Sequence, residues 1–160
     1  MVIYMEYIKI SINDYEIFHN LLNCYYREGE DENTPQEIID SFVKSIFEKV
    51  AEGEYEGYFA KENNEVIGFS LWAFDDENFE YSEIKGFGTI MEIGFVKSYR
   101  GKGFGKAFTL FIESEMRKKN INKAYVSAFG PALKFWQSCG YKENGKMASN
   151  GLPIMVKNLA

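Results

Sequence analysis

Between Tyr99 and Ala107 the chain reads R-G-K-G-F-G-K, with Gly101, Gly103 and Gly105 set among Arg100, Lys102 and Lys106. Lacking β-carbons, such a turn can take positive φ and aim successive N–H groups to one side. An amphipathic run follows at once, with Phe104, Ala107, Phe108, Phe111 and Ile112 on one face. The glycines therefore stand at a helix N-terminus, where unpaired donors and the helix dipole favour an anion. No acidic residue occurs from Lys97 to Ile112, although the whole protein carries a formal net charge of −6. The guest suited to this chemistry is a phosphate or pyrophosphate.

Spacing excludes the two commonest phosphate loops. A P-loop needs a glycine where Arg100 stands and a hydroxyl where Ala107 follows Lys106. A dinucleotide fingerprint needs a glycine at Lys106 and an acid about 20 residues further on, and has neither. Just upstream, Glu92 is the sole charged residue of G-T-I-M-E-I-G-F-V. In apolar surroundings its pKa would rise toward that of a general base, while a salt-bridged or edge-exposed glutamate is the structural alternative. Cys24, Cys139 and His19 form no ligand spacing, so no metal site is expected and no disulfide framework can be written. Cys139 and His19 read as structural residues, not catalysts.

These groups need strands and helices to hold them. Ile8, Ile10 and Ile12 alternate with polar residues as in a strand with one covered face. Asn13 with Glu16 reads as a capping box opening a first helix through Tyr15, Phe18, Leu22 and Tyr25 to about Arg27. An acidic loop from Glu28 to Asn33 precedes a second helix, for which Thr34, Pro35 and Glu37 form the start signal. Its apolar face is read as Ile38, Ile39, Phe42, Val43, Ile46, Phe47 and Val50. A hairpin turning at Asn63 and Asn64 follows, then a second acidic loop from Asp75 to Glu80 and a long strand from Gly88 to Val96. Gly94 within it marks either a bulge or a close packing approach. After the glycine turn and its helix come a strand at 123–128, a helix from Pro131 to Cys139, and strand material around Ile154 to Leu159.

A length of 160 residues predicts one domain, spanning 1–160. Hydrophobic residues at 46%, with 14 Phe and 11 Tyr, support a packed core and argue against disorder. The acidic balance argues against a nucleic-acid or anionic-membrane partner, and no run of 18 apolar residues predicts a membrane span. Two unpaired cysteines and no leader pattern lead to an expected cytoplasmic location.

The pattern R-x-x-G-x-G, here Arg100, Gly103 and Gly105 after a strand and opening a helix, resembles the GCN5-related N-acetyltransferase (GNAT) superfamily. A-L-K-F-W-Q-S-C-G-Y, at 132–141, is similar to that family's A-x-x-x-[YF]-x-x-x-G-[FY] segment. The resemblance covers most of the chain. It implies an α+β, three-layer α-β-α fold whose mixed, mainly antiparallel sheet has roughly six to seven strands flanked by about four helices. It also implies acetyl-CoA as co-substrate, its pyrophosphate held by Arg100, Gly101, Lys102, Gly103, Phe104, Gly105 and Lys106. The pantetheine arm would run along the preceding strand at Phe95 or Val96, whose amides could also stabilise an oxyanion.

The implied reaction is direct attack of a primary amine on the thioester, with Glu92 as the candidate base. The family's protonating tyrosine is replaced by Trp136, and an asparagine before the last helix by Phe129; Tyr141 or Tyr125 could substitute as acid. The acidic loops, with Glu28, Glu30, Asp31, Glu32, Asp75, Asp76, Glu77 and Glu80, suit a cationic small-molecule or peptide acceptor. A non-catalytic acyl-CoA-binding or regulatory module is the competing expectation, and a structural protein that assembles dimers through aromatic surface is a third. A homodimer is compatible with each.

Overall fold

The computed structural model describes residues 4–29 and 32–160. In chain order they form β1 (Met5–Lys9), α1 (Tyr15–Gly29), α2 (Gln36–Ala51), β2 (Glu56–Glu62), β3 (Glu65–Phe74), β4 (Gly88–Phe95), α3 (Phe104–Lys118), β5 (Lys123–Ser127), α4 (Leu133–Ser138), β6 (Lys142–Met147) and β7 (Pro153–Asn158). One seven-stranded sheet has the order β1-β2-β3-β4-β5-β7-β6. Only the β4–β5 pair is parallel, as the intervening α3 crossover requires. Helices α1 and α2 cover one face, where Phe18, Leu22, Val43 and Phe47 meet Phe59, Phe69 and Leu71. On the other face Phe108, Ile112 and Met116 of α3, with Trp136 of α4, meet Ala60, Ile67, Trp72 and Ile90. The fold is the expected three-layer, mainly antiparallel one.

Local details correct the sequence reading in several places. The residues of β1 that face the core are Met5 and Tyr7, and Tyr7 stacks on Phe108 and Phe111 of α3. Ile12 lies instead in a 3-10 turn and is exposed. The capping box at that turn uses Ser11 and Asp14, not Asn13 and Glu16: Asp14 accepts from the Ser11 amide at 2.7 Å, and Ser11 Oγ accepts from Asn13. Helix α2 begins at Gln36 with Pro35 at the N-cap, one residue later than the Thr34 pattern predicts. Ile38 and Phe42 leave its buried face and stay exposed, because Ile39, Val43, Ile46 and Phe47 already fill the contact with the sheet.

The features that shape the cleft lie on β4. Its register with β3 runs Gly68↔Phe95 to Leu71↔Glu92, then resumes at Trp72↔Ile90, leaving Met91 as an unpaired bulge residue beside Glu92. Its pairing with β5 is confined to Gly88↔Ala124 and Thr89↔Tyr125. Beyond Thr89 the two strands separate, and a wedge opens between them.

Gly94 is not the bulge. A β-carbon there would stand 2.6 Å from the Tyr25 ring and 2.9 Å from Phe69, so this glycine admits α1 against the strand.

Candidate active site

The wedge between β4 and β5 is a cleft of about 870 Å³. One wall is Ile90 to Phe95, another is the glycine turn with the start of α3, and the far side is formed by Val126, Phe129, Phe135 and Trp136. Gly101 and Gly103 have φ of 73° and 87°, values that side chains rarely tolerate, and a β-carbon at either would point into open space. Gly103 is the N-cap of α3, without side-chain capping, and the first helical bond runs from Ala107 N to Gly103 O. The amides of Phe104, Gly105 and Lys106 thus lack a carbonyl one turn earlier. Lys102 and Lys106 are exposed beside them, with Lys102 Nζ over the Tyr99 ring at 6.0 Å. This cradle fits a diphosphate.

Strand alternation separates the two candidates for the pantetheine arm. Val96 N–H donates to Ile67 O at 2.9 Å and is already spent. In an antiparallel ladder the neighbouring pair, Gly68↔Phe95, turns its main-chain groups away from the partner strand. The Phe95 main chain therefore faces the side from which β5 has departed.

Arg100 occupies an unexpected position. Its Nε donates to Phe95 O at 2.8 Å and its Nη2 to Glu28 at 2.5 Å, so the guanidinium ties the strand end to α1. The main-chain amides and Lys102 and Lys106 remain to meet an anion.

Glu92 lies half-buried in the cleft wall, aimed by the Met91 bulge. Burial raises its carboxyl to about 7, against hydrogen bonds from Tyr26 and Tyr25 that lower it. The Tyr26 hydroxyl donates at 3.3 Å. Burial, reinforced by the Glu92 charge, pushes Tyr25 up to about 12 and Tyr26 higher still, so both stay protonated donors. The sequence pattern marks neither tyrosine for the site. Tyr26, one residue off the apolar stripe of α1, is the available signal. Tyr25 and Tyr26 also line a second opening of about 400 Å³ with Glu28, Gly29, Glu92 and Arg100.

Other candidates fall elsewhere. Trp136, 6% exposed, packs edge-on against Phe135 and Tyr141, and Phe129 stands exposed at the cleft rim. The Tyr141 hydroxyl is committed to buried Glu113 at 2.8 Å, which Lys157 also meets at 2.8 Å. That of Tyr125 is committed to Asp75 at 2.6 Å. Neither is among the residues that line the cleft. Cys139 is buried, and burial pushes its thiol up. His19 bonds Asp40 at 2.8 Å, between α1 and α2.

The second acidic loop does not form one acceptor rim with the first. Asp75 is fully buried and accepts from Ser82, Tyr125 and the amides of Glu83 and Ile84. Asp76 and Glu80 line a separate pocket with Lys49 and Lys119, past Phe74, which pairs with the end of β4 remote from Phe95. Glu30 and Asp31 lie outside the described residues. Among the described residues no cluster of potential ligands could hold a metal ion, and no helix is long and apolar enough to cross a membrane.

Solved structures of known proteins share this fold. The chain superposes on the PaiA N-acetyltransferase from Thermoplasma acidophilum in complex with coenzyme A with a TM-score of 0.70 at 19% identity, covering 97% of this chain and 99% of that one. A predicted acetyltransferase with acetyl-CoA from Clostridium acetobutylicum gives 0.71 at 21% identity, over 91% and 95%. The dodecameric spermidine N-acetyltransferase from Vibrio cholerae gives 0.66 at 16%, over 97% and 94%. No curated protein matches the sequence. The family model described as acetyltransferase (GNAT) family matches residues 15–141, from the first helix to the end of the A-L-K-F-W-Q-S-C-G-Y segment. The chain belongs to the GNAT acetyltransferase family.

Proposed function

We propose that the protein transfers an acetyl group from acetyl-CoA to a primary amine by direct attack, with Glu92 as the base. The observation that carries this reading is Glu92 itself. A carboxyl raised to about 7 sits in the cleft wall where the strands part, in the same cleft as the uncapped glycine turn. Acetyl-CoA, when bound, supplies an acyl group activated as a thioester. The turn amides at Gly103 to Lys106 would hold its diphosphate, and the Phe95 main chain its pantetheine arm. An acceptor amine with pKa near 10 arrives as ammonium, and Glu92, ionised above about 7, can take its proton. Tyr25 and Tyr26 orient the carboxylate by donating to it. A thiol pKa near 8.5 makes the thiolate a tolerable leaving group, so Trp136 in place of an acid is compatible with turnover.

The acceptor in this reading is cationic, a polyamine, aminoglycoside or peptide amine. The second opening, where the carboxylates of Glu28 and Glu92 outnumber the one cation Arg100, supports it. A non-catalytic acyl-CoA-binding module is the competing reading, favoured by Trp136 and Phe129. Free thiol release from acetyl-CoA with a panel of such amines tests the two. Amine-dependent release supports transfer. Saturable coenzyme binding without release from any amine would favour the binding module.

A further inference from the structure

We propose that Glu28 is a specificity-determining residue: by neutralising Arg100 it opens the acceptor side of the cleft to ammonium groups. The proposal rests on the amine-acetylating reading above. The opening of about 400 Å³ beside Glu92 is lined by Tyr25, Tyr26, Glu28, Gly29, Glu92 and Arg100, and among these Arg100 is the sole cation. Its guanidinium cannot simply swing away, because Nε is bonded to Phe95 O at 2.8 Å, a fixed point at the end of β4. Glu28, at the end of α1, meets Nη2 at 2.5 Å.

With this pair formed, the charge of Arg100 is cancelled where it stands, and Glu92 sets the sign of the opening. Tyr25 registers the same balance: burial and the Glu92 charge raise its pKa, the Arg100 charge lowers it, and the Glu28 charge raises it again. Without Glu28, a unit positive charge would be held at the entrance used by a cationic acceptor.

Two like charges about 6 Å apart repel enough, at an effective dielectric between that of water and about 20, to change affinity by a factor of about 3 to 100. Both partners are 42% exposed, which selects the low end of that range. Such repulsion fades as salt shortens the Debye length.

The test is steady-state kinetics of wild type, Glu28→Gln and Glu28→Asp, with 1,4-diaminobutane or whichever amine of the panel turns over fastest. Acetyl-CoA is saturating, and ionic strength runs from about 0.01 to 1 M. Glutamine keeps an acceptor oxygen for Arg100 and removes only the charge. At low salt the amine KM of Glu28→Gln should rise about three- to tenfold with kcat unchanged, and converge on the wild-type value at high salt. Glu28→Asp, which keeps the charge, should stay near wild type.

An unchanged KM in Glu28→Gln, or a rise that salt does not relieve, would overturn the proposal while leaving the acetyltransferase reading intact. Wild type that releases no thiol with any amine would overturn both. A melting curve for each variant separates charge from folding, because a bridge that merely anchors α1 would lower thermal stability without a salt-dependent KM.

Discussion

Replacing Glu92 with glutamine keeps the size of the side chain and removes its charge, with opposite consequences for stability and for turnover. The folded carboxyl holds its proton to about 7, while the ordinary value is 4.5. Across that window the folded protein binds more protons than the unfolded chain, so stability falls as pH rises through it. Above the window the ionised carboxylate costs about 3 kcal/mol if fully desolvated, and nearer 1 where the cleft admits water. Glu92→Gln should therefore be more stable than wild type by about 1 to 3 kcal/mol near pH 8, with the advantage shrinking toward pH 4. Denaturant melts at the two pH values measure this directly.

Turnover moves the other way. If Glu92 is the base, kcat/KM of wild type loses an added factor of ten for each pH unit below about 7, and the variant loses that limb together with about 10² to 10⁴ of its rate. The acceptor's own ammonium contributes a second slope that the substitution leaves in place. Two outcomes would refute the reasoning: a variant no more stable than wild type near pH 8, or a wild-type profile without the limb.

Three further substitutions probe the supports of the site. Gly94→Ala puts a β-carbon 2.6 Å from the Tyr25 ring; overpacking there should cost about 1 to 3 kcal/mol in a denaturant melt, and a neutral result would remove the packing role assigned to this glycine. Tyr141→Phe takes one hydrogen bond from buried Glu113 and should cost about 1 to 3 kcal/mol without altering kcat. A tenfold loss of kcat at unchanged stability would instead make Tyr141 the acid. Burial opposes ionisation of Asp75, but hydrogen bonds from Ser82, Tyr125 and two amides outweigh it and hold its carboxyl below the ordinary 3.8. That stability is present above 3.8 and is lost as pH falls through the lower folded value, so Asp75→Asn should be destabilised at neutral pH and converge with wild type in acid.

What the sequence made legible was what short-range chemistry decides. The hairpin follows from Asn63 and Asn64, which adopt φ of 49° and 69° as the tight turn demands. The glycine turn follows from three glycines between strand and helix, and the charge isolation of Glu92 marks a side chain that lies in the cleft wall. What stayed hidden depends on distant partners. β6, K-E-N-G-K-M, is exposed along its length and has no apolar alternation; it exists as a strand because β7 pairs with it. Arg100 and Glu28 lie 72 positions apart, so no local pattern could reveal that one neutralises the other. Asp75 reads as one more acid of a solvated loop until four donors are seen to converge on it. The exposure of Ile38 and Phe42 likewise depends on how far α2 is rotated against the sheet, which periodicity alone leaves open.

The central claim is that the bare amides at the start of α3 hold the diphosphate of the coenzyme. Calorimetric titration of acetyl-CoA into wild type and Gly103→Glu tests it most directly. At φ of 87° the new side chain is strained, and its carboxylate stands where the anion should lie. Saturable binding by wild type and none by a folded Gly103→Glu is the expected result; equal affinity in the two proteins, or no binding by wild type, would contradict it.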